Sequence, residues 1–290
     1  MWILLTLMAA FMQAWRNAFQ SQLSKEVSVG GVTLARFLWA WPIALVYLIG
    51  LYTWHDPGIP EFNQPFVRFV LGAACMQIFA TVLMVILFKL QNFAIGAGLA
   101  KSEAIVAAVL GVIFFGTSLS WLGWAGVIVG AIAVFFMSSK QGLKNLSLPT
   151  ALLGLGCGTA FALTSLWIRE ASLCLAVPFP YSAAWVLVFV IGIQTLLLLT
   201  YLGVRDRDSL YALWQRPKLT LLTSIASCLG SIGWFSAMSL QAVPYVKTLG
   251  QVEVFFTLLI ATLWLKDRVQ IKDMFCLVLI AVAAVMVIWG

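Results

Sequence analysis

Apolar residues fill window after window of this 290-residue chain, on every side of any helix drawn through them. They neither alternate nor gather on one face. Lipid-solvated helices show this pattern, and each needs about 20 apolar residues to cross the hydrocarbon core. A membrane β-barrel would alternate in segments of about ten residues; the chain shows none. Ten spans are predicted, roughly at 1–22, 31–52, 66–90, 94–115, 121–139, 149–170, 181–202, 218–241, 244–264 and 271–289. Polar stretches separate them: HDPGIPEFNQP at 55–65, SKQGLKNLSLP at 139–149, VRDRDS at 204–209 and KDRVQIKD at 266–273. The gaps at 91–93 and 242–243 are short enough to predict tight antiparallel hairpins. The first run has the length of a signal peptide. It lacks a basic start and a small-x-small cleavage site, so it reads as a retained helix.

Composition agrees. Apolar types make up 63 % and charged residues 9 %, against about 25 % charge in soluble domains. The net charge of +7 does not point to nucleic acid, because its basic residues sit mostly in short loops. Alternate loops, after the odd-numbered spans, hold eleven Lys and Arg; the other set holds Arg68 and Arg169 beside Asp56 and Glu61. The positive-inside rule then places the first set in the cytoplasm and both termini outside. Cys75, Cys157, Cys174, Cys228 and Cys276 form no CxxC pair and read as small packing residues, and His55 stands alone in a loop. Neither a metal nor a cofactor is expected.

A shift of 150 residues aligns LQNFAIGAGLAKSEAIVAAVLGVIFFGTSLS (90–120) with LQAVPYVKTLGQVEVFFTLLIATLWLKDRVQ (240–270), and sets Glu103 on Glu253. Ten spans make five per copy. An odd number inverts the second copy relative to the first, and inverted repeats build transporters with a midplane site. TLARFLWAWPIAL (33–45), the stretch GAGLAKSEAIVAAVLGVIFFG (96–116), LSWLGWAGVIVGAIAVFF (119–136) and the recurrence over 246–288 carry a family resemblance. The chain resembles the ten-helix EamA-like branch of the drug/metabolite transporter superfamily. That resemblance implies an all-α integral membrane protein of two inverted five-helix repeats, 1–145 and 146–290. Family members often have proline near the middle of spans four and nine; Glu103 and Glu253 stand there in this chain.

Charges inside such runs cost about 2.5–3.5 kcal/mol each at a helix centre, so they face the bundle interior or a wet cavity. The candidates are Lys101 and Glu103 on span four, Lys247, Gln251 and Glu253 on span nine, and Arg16 on span one. Lys101 and Glu103 point about 200° apart and cannot pair with each other. Partners must come from other helices, most simply from the opposite half. Gln13, Arg16, Asn17, Gln20 and Ser24 form one polar stripe, and Ser224, Ser227, Cys228 and Ser231 a second. Gln77 and Thr81 add to a polar cavity with Trp15, Trp234 and Tyr245 as its expected aromatic walls. GxxxG pairs Gly126/Gly130 and Gly154/Gly158 offer helix contacts or a homodimer seam.

The expected function is secondary transport of a small organic metabolite, amino-acid-like, zwitterionic or cationic, by proton coupling or exchange. The chain has no GxxxxGK[ST] loop for ATP. The expected partners are that solute, the proton and the lipid bilayer. An anionic solute held by Lys101, Lys247 and Arg16 is the competing assignment. A channel or scramblase comes next. A membrane enzyme comes last, because HExxH, GxSxG and paired aspartates are missing.

Overall fold

The computed structural model describes residues 1–90, 100–138, 148–264 and 271–289. The described residues are helical, with no strand among them. In chain order the helices are α1 (Trp2–Leu23), α2 (Val29–Phe37), α3 (Ala40–Trp54), α4 (Gln64–Leu90), α5 (Glu103–Phe115), α6 (Trp121–Ser138) and α7 (Leu148–Leu173). They continue as α8 (Tyr181–Arg205), α9 (Arg207–Gln215), α10 (Pro217–Leu240), α11 (Val243–Leu249), α12 (Glu253–Trp264) and α13 (Ile271–Trp289).

Among the described residues, six helical segments are long and apolar enough to cross a membrane, with α2–α3 and α11–α12 each counting as one. Three more, on α5, α6 and α13, are apolar but shorter. The protein is thus a multi-pass membrane protein by length and composition. The sequence predicts ten spans. The helix α1 has the length of one, but Gln13, Arg16, Asn17 and Gln20 dilute its apolar character. The hairpin into span four lies partly in 91–99, outside the described residues.

Two predicted spans are interrupted. The run at 31–52 breaks at Leu38 and Trp39, between α2 and α3. Pro42 causes this: it has no N–H for the Leu38 carbonyl, and its ring crowds that carbonyl. Backbone groups freed within lipid must be satisfied by the protein. Ser224 Oγ donates to the Ala35 carbonyl at 2.6 Å and accepts the Trp39 N–H at 3.2 Å. Cys228 Sγ donates to the Ala40 carbonyl at 3.4 Å. Part of the small-residue stripe on α10 therefore splints this break and does not line a cavity. The second interruption is a 3-10 turn at Gly250–Val252, between α11 and α12. A matching 3-10 turn at Ala100–Ser102 leads into α5.

The stretch VRDRDS, read from sequence as a polar break, instead nucleates a short amphipathic helix. Asp206 caps α9 by accepting the Ser209 N–H at 3.2 Å, as an N-cap carboxylate does. The Ser209 hydroxyl, donating at 2.6 Å, holds the Asp206 carboxyl below the usual carboxylate range. Arg169, counted by sequence among loop charges, ends up half-inside the bundle. Its Nη1 donates to the Met238 and Gln241 carbonyls at 2.7 Å each, satisfying the open C-terminus of α10. Arg169→Met should leave those carbonyls bare and lower the unfolding midpoint in detergent. The hydrogen bonds lost are charge-assisted, worth about 1.5–3 kcal/mol.

Helix α4 packs along α7, and α1 along α10, while α6 packs along α13. Glycines permit the close approaches. A Cβ at Gly126 would fall 2.7 Å from Val287 and 3.0 Å from the Ala283 carbonyl of α13. One at Gly158 would fall 2.9 Å from the Glu103 backbone nitrogen. Gly126 and Gly158, one from each GxxxG pair, thus serve close helix packing within the chain.

A candidate charged solute site

The polar face of α1 points at the start of α12. Gln13 Nε2 donates to Glu253 Oε2 at 2.5 Å, and Asn17 Nδ2 donates to Glu253 Oε1 at 2.8 Å. Both amides are oriented from behind. Arg16 donates from Nε (3.1 Å) and Nη2 (2.6 Å) to Asn17 Oδ1, which turns the Asn17 NH₂ toward the carboxylate. The Trp234 indole Nε1–H donates to Gln13 Oε1 at 2.8 Å with the same effect. Glu253 is 1 % exposed. Two neutral amides thus donate to its carboxylate, with the Arg16 cation one amide away.

Glu103 is held differently. Lys247 Nζ lies 2.7 Å from Glu103 Oε1, and Ser165 Oγ donates to the same oxygen at 3.0 Å. Lys247 also sits 4.3 Å above the centre of the Trp234 ring, a cation–π distance. Trp234 therefore touches both carboxylate sites: its N–H through Gln13 to Glu253, its ring face through Lys247 to Glu103. Gly250 makes room for it, since a Cβ there would fall 2.3 Å from the ring. Gly250→Ala should cost about 1–3 kcal/mol by overpacking, more than the ~1 kcal/mol of helix propensity it gains. A lower thermal midpoint checks this.

A third polar group comes from α2, α4 and α8. Arg36 Nη1 donates to Thr81 Oγ1 at 2.6 Å, and Thr81 Oγ1 donates to the Gln77 carbonyl at 2.7 Å. Gln194 Nε2 donates to Gln77 Oε1 at 2.7 Å. Phe37 and Phe161 cover the guanidinium at 5.1 and 5.8 Å. Arg36 is 3 % exposed, and its Nε–H is buried with no acceptor. Leaving a buried donor unmet costs about 1–3 kcal/mol, more if charged.

All three groups border one cavity of about 30 Å³, space for a water or two. Among its described lining residues, Arg16, Arg36 and Lys247 face two carboxylates, Glu103 and Glu253.

The remaining sequence candidates fall as follows. Gln13, Arg16, Asn17, Gln77, Glu103, Lys247, Glu253 and Trp234 line the cavity. Gln251 borders a smaller adjoining space with Gln13 and Lys247. It packs against Gly130, and neither amide atom has a hydrogen-bond partner. Trp15 is not a wall: it stacks on Phe19 at 5.6 Å, in a cluster with Ala14, Ala18 and Ile260. Tyr245 is not one either, since its hydroxyl accepts the Ser120 N–H at 3.4 Å. The spacing that put aromatics near the polar stripe does not fix which side of the helix they take. For Lys101 only the backbone is described, and its side chain lies outside the described part of the structure. Arg36, Phe161, Ser165 and Gln194 were missed as site residues. Arg36 stands six residues into an apolar run and reads there as a helix-end charge.

No family model matches the chain, and no curated protein matches it. Solved structures do match in fold. One crystal structure superposes with a TM-score of 0.70 over 99 % of this chain and 96 % of its own, at 14 % sequence identity. At that identity the likeness speaks for the fold alone.

Proposed function

We propose that this protein is a secondary transporter of the EamA-like branch of the drug/metabolite transporter superfamily. In this reading ten spans form two inverted five-helix repeats. They move a small zwitterionic, amino-acid-like solute by alternating access, coupled to protons or by exchange. The observation that carries the reading is the buried, mixed-charge cavity on which opposite halves of the chain converge. Glu253, in the second half, is bonded from α1; Glu103, in the first, is bonded from α7 and α11.

Two features support the repeat. The 3-10 turns and the glutamates that follow them stand 150 residues apart. The packing also exchanges halves: α4 lies on α7 and α1 on α10, each pairing the third span of one half with the first of the other. A helix broken beside a charged midplane site is the usual transporter device for exposing backbone and charge to solute. The cavity of about 30 Å³ is too small for an amino acid, so loading requires the halves to part. The loop charge supports both termini lying outside.

Counterflow in proteoliposomes tests the carrier. Liposomes preloaded with an unlabelled L-amino acid should take up its labelled form faster than empty ones, for at least one member of a full amino-acid panel. Equal uptake into loaded and empty vesicles would indicate a channel and overturn the reading.

A further inference from the structure

We propose that the unpaired, buried edge of Arg36, with the Gln77 amide beside it, is the subsite that receives a carboxylate of the solute once the halves part. The inference rests on the carrier reading above and assigns the acidic end of its substrate to particular atoms.

Three observations converge. First, the charges lining the cavity do not balance: Arg16, Arg36 and Lys247 oppose Glu103 and Glu253 among the described residues. Both carboxylates are already engaged by other side chains, through Gln13, Asn17, Ser165 and Lys247. Among the described lining residues the cations therefore outnumber the carboxylates, and an anionic group would reduce that excess. Buried charges in a membrane protein pair or line a solute path.

Second, the surplus is located at Arg36. Its Nη1 is taken by Thr81, and its faces are covered by Phe37 and Phe161. Its Nε–H has no acceptor. The remaining Nε/Nη2 edge is a two-donor fork, which matches the two oxygens of a carboxylate.

Third, the neighbouring donor is aimed. Gln194 donates to Gln77 Oε1, which occupies one lone pair of that oxygen and leaves the NH₂ of this cavity-lining amide as a donor for a ligand. The Arg36 Nε–H without an acceptor and the Gln77 NH₂ make this corner of the cavity donor-rich. It repels a cation and gives a neutral group nothing to neutralise. An ammonium would instead lie toward Trp234 and the two glutamates, across the same cavity.

The test uses the full chain in detergent. Thermal unfolding is followed with the L-amino acids, their carboxamides, sodium acetate and inorganic phosphate as probes, at matched ionic strength in chloride. The expected result is that at least one amino acid raises the midpoint and binds at least tenfold more tightly than its amide. Arg36→Gln should erase that preference, and Arg36→Lys should keep a part of it, since the charge remains but the fork is lost. Should Arg36→Gln not fold, Gln77→Met provides the second reading. It removes one donor, and the acid-over-amide preference should fall severalfold while amide binding stays unchanged. Acid and amide binding alike, no response to any carboxylate, phosphate binding more tightly than every amino acid, or an undiminished preference in the foldable variant would each overturn the subsite. Counterflow of a neutral or cationic solute without acid preference would leave the carrier standing and remove only Arg36 from its role. Acid binding that depends on Arg36 without any counterflow would do the reverse.

Discussion

Lys247→Met is expected to destabilise the protein by about 3–5 kcal/mol, the cost of stranding one member of a buried ion pair. The burial decides the magnitude. The Lys247 and Glu103 side chains are 10 % and 9 % exposed, so the weak surface regime of about 0–1 kcal/mol does not apply. Without Lys247, the Glu103 carboxylate keeps the Ser165 hydroxyl, a single neutral donor against a full charge. Trp234 loses its cation–π contact as well. Glu103→Gln in the same chain removes the stranded charge and should recover most of the loss, although each change alone is damaging. Chemical unfolding of the two single variants and the double variant measures this coupling. Additive losses would mean that the pair contributes nothing as a pair.

Glu253→Gln is expected to fold and to transport about 10–100-fold more slowly, the factor that one charge-assisted hydrogen-bond set of about 1.5–3 kcal/mol represents. Glutamine keeps the size of the side chain but carries an NH₂ in place of one oxygen. That NH₂ must face either Gln13 Nε2 or Asn17 Nδ2, both of which are donors held in place from behind. One bond becomes a donor–donor clash, and Arg16 loses the carboxylate beyond Asn17. If Glu253 carries the coupling proton, the variant should also stop responding to an imposed pH gradient. Monodisperse protein with wild-type initial rates would remove Glu253 from the mechanism. Glu103→Gln carries the same expectation for transport.

Much of this arrangement is legible along the chain, and its limits are physical. Long apolar runs locate helices because lipid leaves the backbone no alternative. Mid-run charges locate the cavity because they cannot face lipid. That reasoning finds Glu103, Glu253, Lys247 and the stripe on α1, and its simplest pairing, a lysine with the glutamate of the opposite half, is the one Lys247 makes with Glu103. It misses Arg36, whose burial follows from where α2 crosses α4, a matter of packing, not of composition. The break after Phe37 is half-legible: Pro42 announces it, but the Ser224 and Cys228 splints come from a helix nearly 190 residues away. Trp15 and Tyr245 show the opposite error. An aromatic beside a polar residue in sequence lies about 100° from it on a helix, enough to turn it into a neighbouring contact. The helix α9 was hidden because a charge cluster looks like a loop until its N-cap is seen.

Accessibility of Thr164 from the two sides of the membrane tests the alternating cavity most directly. Thr164 lines the cavity, and its hydroxyl bonds only the Ala160 carbonyl of its own helix at 2.8 Å, so Thr164→Cys should disturb little. In sealed, oriented vesicles, a membrane-impermeant thiol reagent should label this cysteine above the wild-type background from either side, and a transported amino acid should shift the balance between sides. Labelling from neither side, or from one side only whatever solute is present, would contradict the carrier.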